Sequence, residues 1–139
     1  MHLLARGAGE VILAGTYAIK ANMTVTQLAE VGVTSVVAVS GDDEEPATAS
    51  RDEWGLGRLA VGYGQHVASV REWGLYVLKG IKEGEPELFG EPGLFVISPD
   101  GSLYAAVLNT MPFGRPHIDE IVGAIRYVNV HDYPARGEA

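Results

Sequence analysis

The hydrophobic and polar positions of the chain follow strand-like and helix-like patterns in turn. The run EVILAGTY, residues 10–17, has the short apolar core typical of a strand. The next stretch, YAIKANMTVTQLAEVG, repeats its apolar residues at helical spacing, and Gly32 predicts the end of that helix. The β-branched run TSVVAVS, residues 34–40, is almost wholly apolar, as in a strand that is covered on both faces of a sheet. These patterns predict a strand, a helix and a second strand.

A second helix is predicted directly after this strand. Asp42 and Glu45 have the spacing of a capping box, and Pro46 suits the first turn of a helix that reaches Trp54. The octamer ASRDEWGL at the end of this helix recurs as ASVREWGL at residues 68–75, and in both copies a glycine after tryptophan indicates a helix end. The intervening sequence LAVGYGQHV predicts a turn-rich connection.

The last part of the chain predicts a loop, a hairpin and a helix. The stretch KGIKEGEPELFGEPG, residues 79–93, contains four glycines and two prolines, which favours an exposed loop. The stretch EPGLFVISPDGSLYAAV, residues 91–107, places a Pro-Asp-Gly turn between two apolar runs and predicts two antiparallel strands. From Pro116 onwards, apolar residues recur at helical spacing up to Val128, so we predict a final amphipathic helix.

The order of these elements predicts the fold class. Strands joined through helices run parallel, whereas a tight turn makes its two strands antiparallel. We therefore predict an α/β protein with a thioredoxin-like fold, in which a mixed central sheet of about four strands has helices on both faces. A length of 139 residues is typical of one domain, which we assign to residues 1–139.

Composition narrows the classes of partner. Eighteen acidic residues against ten basic ones give a formal net charge of −8, which disfavours binding to nucleic acid and to an anionic membrane surface. The apolar runs are far shorter than the roughly 20 residues that a membrane-spanning helix needs. The opening residues MHLLARGAGEVILAG also lack the pattern of a secretory signal. We therefore expect a cytoplasmic protein that binds neither nucleic acid nor membranes.

Candidate chemistry is limited because the sequence contains no cysteine. The chain consequently has no disulfide, no thiolate metal ligand and no thiolate nucleophile of its own. The histidines do not have the spacing of metal ligands, so we predict neither a metal site nor a cofactor. The four histidines are His2, His66, His117 and His131.

Four stretches of the sequence together carry a resemblance to a known family. They are VVAVSGDDEEPATASRDEWGL, VGYGQHVASVREWGLYVLKG, EPGLFVISPDGSLYAAVLNTMPFGRPHIDEIVGAI and DYPARGE. In these stretches the chain resembles the peroxiredoxin-like branch of the alkyl hydroperoxide reductase and thiol-specific antioxidant family. The resemblance implies an atypical N-terminal part at residues 1–33, a family-like core at 34–131 and a tail at 132–139. It also implies that Pro92, followed by Gly93, occupies the place of the cis-proline that borders the active site of the family.

The chain departs from this family at the catalytic position. Family members have a cysteine motif at the start of the first helix, where the helix dipole and nearby amides lower the pKa of the thiol. The motif can be placed on TYAI, with Thr16, Tyr17 and Ile19 followed by Lys20, or on VILA at residues 11–14. Neither alternative contains a thiol. Thr16 has a hydroxyl, but no histidine lies within a few positions to act as its base.

Two further features predict contacts with a partner. The segment TMPFGRPH contains Met111, Phe113 and Arg115 between a strand and a helix, where they are candidates for a groove or an interface. The N-terminal part is also shorter than that of the resembled family, which would leave a sheet edge exposed. Because exposed edges pair with other chains, we predict a homo-oligomer, specifically a dimer, with exchange of the N-terminal segment as one way to form it.

Three functions are compatible with this sequence. The favoured hypothesis is a peroxiredoxin-like module without thiol chemistry, which self-associates or binds a protein or a small ligand. The second is an enzyme that uses other residues near Pro92, with Thr16, Lys20 or His117 in a pocket. The third is a degenerate thiol peroxidase that has lost its catalytic cysteine.

Overall fold

The computed structural model describes residues 10–14, 21–53, 57, 59–110 and 116–137. These residues form four helices and seven strands. In chain order the elements are β1 (Glu10–Ala14), α1 (Ala21–Glu30), β2 (Ser35–Val39), α2 (Glu44–Glu53), β3 (Ala60–Gly62), α3 (Val67–Glu72), β4 (Val77–Lys79), β5 (Leu88–Gly90), β6 (Gly93–Ile97), β7 (Leu103–Leu108) and α4 (Ile118–His131).

The main sheet contains five strands in the order β3-β2-β1-β6-β7. Its first three strands are connected through helices and run parallel, and β6 and β7 run antiparallel to their neighbours. The predicted mixed sheet is therefore confirmed. Strands β4 and β5 form a separate antiparallel pair. None of the described helices is long and apolar enough to span a bilayer.

Strand β6 lies in the buried core of the sheet. All five of its residues are buried, and Leu94 is completely inaccessible. Because successive side chains of a strand point to opposite faces, this burial shows that both faces of the sheet are covered at β6. On one face the ring of Trp73, which follows α3, lies edge-on to the ring of Phe95, with the ring centroids 4.9 Å apart. The continuous apolar run GLFVI is the cause of this two-sided burial.

Helices α1 and α4 contact each other. The Asn129 side-chain amide donates a hydrogen bond of 2.6 Å to the Val31 carbonyl, and Gln27 donates one of 3.1 Å to Asp119. The first of these bonds satisfies a carbonyl just past the end of α1, where Gly32 has a φ of 91°. The buried residues Val122 and Ile125 lie on the apolar stripe that predicted α4.

The structure confirms most predicted elements and differs from the prediction at three short strands. The connection LAVGYGQHV contains β3, and the predicted exposed loop at 79–93 contains β5, which pairs with β4. Each of these strands has only three residues, so neighbouring strands rather than a local pattern determine its conformation. The second octamer does end a helix, since Gly74 has a φ of 71° after α3. The predicted end of α2 at Trp54 lies outside the described residues.

We expect replacement of Leu94 by alanine to lower the free energy of unfolding by about 2–5 kcal/mol, because it leaves a cavity in a fully packed strand. The matched change Leu88→Ala, at a side chain that is 42% exposed, should cost less than about 1 kcal/mol. Urea unfolding of both variants measures the difference. Equal losses of stability would contradict the central position of β6.

Candidate functional site

Each of the five strands of the main sheet has one of its ends on the same side of the sheet. Ala14, the last residue of β1, pairs with Val39 of β2 and with Gly93 of β6. Val39 in turn pairs with Gly62, and Gly93 pairs with Leu108 at the end of β7. We call this the carboxyl edge, because four of its five strands end there. The chain leaves β1 at Ala14 and β7 at Leu108 on this edge.

The register places Pro92 at the carboxyl edge. It lies one residue before Gly93 and therefore next to the point where the chain leaves β1 for α1. This is the neighbourhood that the family resemblance implied for Pro92. The peptide bond between Glu91 and Pro92 is trans, however, so the implied cis bond is not found. The role of Pro92 and Gly93 in a groove stays a prediction.

The other predicted site residues fall on segments that the structure does not describe. Of the two placements of the lost cysteine motif, VILA lies within β1 and is paired on both sides, so it is not at the start of a helix. The alternative, Thr16, Tyr17, Ile19 and Lys20, precedes the described part of α1 but lies outside the described residues. The candidate interface residues also lie outside the described residues. They are Met111, Phe113 and Arg115.

Two loops at the carboxyl edge are joined by backbone hydrogen bonds. The amide of Gln65 donates to the Ser40 carbonyl at 3.0 Å, and the amide of Gly64 donates to the Asp42 carbonyl at 2.7 Å. The Ser40 hydroxyl also donates to the Asp42 carboxylate at 2.9 Å. The loop after β2 and the loop after β3 are therefore fixed relative to each other.

A hydrogen bond between side chains extends this connection to α2. Tyr63 donates to the Glu44 carboxylate, and this bond, together with the negative charge of Glu44, raises the pKa of Tyr63 above its usual value of 10.0. The physical reason is that the neutral phenol is a donor, whereas the phenolate would lie beside another anion. Both side chains are exposed, so this hydrogen bond lies at the surface. It links the loop after β3 to α2 and does not enclose a pocket.

Glu91 is the most unusual residue of the carboxyl edge. Its side chain is only 3% exposed, and among the described residues it is the only buried polar or charged side chain. Its Oε1 atom has no hydrogen-bond partner. Its backbone amide donates to the Tyr76 carbonyl at 2.7 Å. The burial of Glu91 has no signal in the sequence, because a glutamate in a Gly- and Pro-rich loop is normally exposed.

Metal ligands do not come together in the part of the chain that the structure describes. No group of three histidine, aspartate or glutamate side chains there is close enough to hold an ion. His66 and His117 are exposed and immediately precede α3 and α4. The His131 ring lies 4.3 Å from the Tyr127 ring, between ring centroids, at the other end of α4.

We expect Glu44→Gln to lower the pKa of Tyr63 towards its usual value, because it removes the acceptor charge. The tyrosinate absorbance that is lost in Tyr63→Phe isolates this residue in a pH titration. Glu45→Gln, which removes a neighbouring charge on α2, is the matched control and should change the pKa less. Equal shifts in the two variants would show that charge alone, and not the hydrogen bond, affects Tyr63.

Sequence comparisons give no match to this chain, either among protein-family models or among curated proteins. Comparison of the fold with solved structures does give matches. Reduced Prx3 from Vibrio vulnificus matches with a TM-score of 0.70 and 15% sequence identity, over 86% of this chain and 82% of that protein.

Two other solved structures are similar to this chain. The bacterioferritin comigratory protein of Xanthomonas campestris has a TM-score of 0.65 at 18% identity, over 87% of this chain and 80% of its own. A peroxiredoxin-like protein from Aquifex aeolicus has a TM-score of 0.64 at 16% identity, over 89% and 74% of the two chains. The chain therefore has the thioredoxin-like fold in the form that peroxiredoxins have.

Proposed function

We propose that this chain is a peroxiredoxin-fold module without thiol peroxidase activity, and that it acts by associating with a second copy of itself. The observation that carries the first part is the absence of cysteine from a sequence with this fold. A peroxidatic cysteine works as a thiolate that attacks peroxide, and a threonine hydroxyl is not ionised at neutral pH. Prx3 of Vibrio vulnificus has been solved in complex with hydrogen peroxide, but this chain has no thiol for such a ligand to oxidise.

The second part of the proposal rests on strand β7. It is the last strand of the described sheet, so one side of its backbone has no strand partner there. Its sequence LYAAVL contains no charge and no proline. Natural edge strands normally carry lysine, proline or a strong irregularity that prevents pairing with another chain. The only such feature in β7 is a shift of the pairing register with β6. It lies where Ile97 of β6 pairs with Leu103, at the first residue of β7.

The exposed face of β7 is apolar as well. Leu103, Ala106 and Leu108 pair with Ile97, Phe95 and Gly93, which share one face of β6. All three are exposed, with Leu103 at 52% and Leu108 at 37%. We call these three residues the β7 stripe. Antiparallel pairing of β7 with its own copy about a two-fold axis would satisfy the free backbone groups and bring the two stripes side by side on one face of a continuous sheet.

This arrangement is preferred over exchange of the N-terminal segment. Strand β1 pairs with β2 and β6 of its own chain at all five of its residues. Exchange would require each copy to replace both of these ladders. Strand β7 can pair without breaking a backbone hydrogen bond that the described residues make.

We expect Ala106→Lys to shift the chain from dimer to monomer, because it introduces a charge in the middle of the β7 stripe. Ala124→Lys is the matched control, since Ala124 is also an exposed alanine but lies on α4. Sedimentation equilibrium at tens of micromolar protein measures the mass of each variant, and circular dichroism checks that both are folded. A monomeric wild-type protein, or loss of the dimer in both variants, would contradict the proposed interface.

We also expect the wild-type chain to consume no hydrogen peroxide above background in the presence of dithiothreitol. A cysteine-containing peroxiredoxin measured in parallel is the positive control. Turnover by the wild-type chain would refute the proposal. Turnover by Thr16→Cys alone would instead favour the alternative, a degenerate thiol peroxidase that keeps the rest of its site.

A further inference from the structure

The buried carboxylate of Glu91 has no structural explanation in the fold described above. An ionised carboxylate that is removed from water is strongly unfavourable unless hydrogen bonds and an opposite charge compensate it. Oε1 has neither a donor nor a solvent contact. Such a group is retained most readily where it has a ligand to bind.

The position of Glu91 follows from the ladder between β4 and β5. The pairs Val77–Gly90 and Leu78–Phe89 extend by one residue to Tyr76–Glu91, because the Glu91 amide donates to the Tyr76 carbonyl at 2.7 Å. Since side chains alternate between the two faces of a strand pair, Glu91 shares a face with Tyr76, Leu78 and Phe89. We call this the Glu91 face.

The opposite face of the same ladder packs against α3. A Cβ atom at Gly90 would lie 3.0 Å from a methyl group of Val70, so the backbone there is in close contact with the helix. Lys79 pairs with Leu88 and belongs to this opposite face by the same alternation. The basic residue of this ladder is therefore not placed to neutralise Glu91.

The side chains nearest to Glu91 on this face are aromatic or apolar and are partly open to solvent, and the exposed Glu87 lies further along it. Tyr76 is 51% exposed, and Leu78 and Phe89 are half-buried. Aromatic rings beside a carboxylate favour a cation, because the ring faces carry partial negative charge. The net charge of −8 also attracts cations to the protein as a whole.

We propose that the Glu91 face binds the ammonium group of a small primary amine, with Oε1 of Glu91 as acceptor and Tyr76 and Phe89 beside it. An ammonium group is compact, carries a full charge and has three N–H donors, so it supplies the hydrogen bond and the charge that Glu91 lacks. A bond between an ammonium and a carboxylate is among the stronger hydrogen bonds of proteins. Oε1 itself is not open to solvent, so binding requires a rearrangement of the side chains around Glu91.

The test uses n-butylammonium chloride as the probe and the full chain as the protein. Thermal unfolding and isothermal titration calorimetry are carried out on the wild type, on Glu91→Gln and on the matched control Glu87→Gln. Glu87 is an exposed glutamate that lies four residues before Glu91. Tetramethylammonium chloride at the same ionic strength has the same charge but no N–H donor.

We expect n-butylammonium to raise the melting temperature of the wild type and of Glu87→Gln, and to bind roughly tenfold more weakly to Glu91→Gln. Tetramethylammonium should have little effect on any of them. Without the amine, Glu91→Gln should melt at the same temperature as the wild type or higher, because it removes a buried carboxylate whose Oε1 atom has no hydrogen-bond donor.

Three results would overturn the proposal. Equal binding of n-butylammonium to the wild type and Glu91→Gln would show that the amine binds elsewhere. Equal stabilisation by tetramethylammonium would show a general effect of charge. A clearly lower melting temperature of Glu91→Gln without amine would show that Glu91 pairs with a group of its own chain. The proposal does not depend on dimerisation, and Ala106→Lys should bind the amine as the wild type does.

Discussion

The two-sided burial of β6 is the constraint on which the rest of the structure depends. Its five residues pair with β1 on one side and β7 on the other, and all five are buried. A small residue suits its start, because a Cβ atom at Gly93 would overlap a methyl group of Leu75. A larger residue there would force the Leu75 side chain to move. By fixing this strand, the core also fixes Glu91 and Pro92, which directly precede it at the carboxyl edge.

The sequence predicted the elements whose patterns are long or strongly apolar. Local stretches of apolar or periodic sequence predict strands β1, β2 and β6 and helix α4. The order of these elements was enough to predict a mixed sheet of thioredoxin type. Strands β3 and β5 were missed because AVG and LFG are too short and too rich in glycine to have a periodicity of their own. Glu91 was missed for a related reason, since burial of a carboxylate is a property of the surrounding packing and not of the local sequence.

The carboxyl edge of the sheet is built without catalytic side chains. The thioredoxin-like scaffold brings the end of β1, the start of β6 and the end of β7 to one edge through backbone pairing alone, without the participation of any catalytic side chain. In these 139 residues no thiol is available to use that edge. What the edge presents instead is a buried acceptor at Glu91 and, on the neighbouring strand, an apolar stripe. The proposed binding rests on these two features.

Leu108 of the β7 stripe lies close to the two segments that lead into the Glu91 face. One methyl group of Leu108 would lie 3.0 Å from a Cβ atom at Gly93, and the other would lie 4.0 Å from one at Gly74. Leu75, between Gly74 and Tyr76, packs against the same side of Gly93. Because protein interiors are close-packed, a change at Leu108 disturbs the packing around Gly93, two residues after Glu91. A substitution at Leu108 would therefore affect both surfaces. Substitutions at Ala106 and Glu91 are better suited to test the surfaces one at a time, because each side chain belongs to one surface alone.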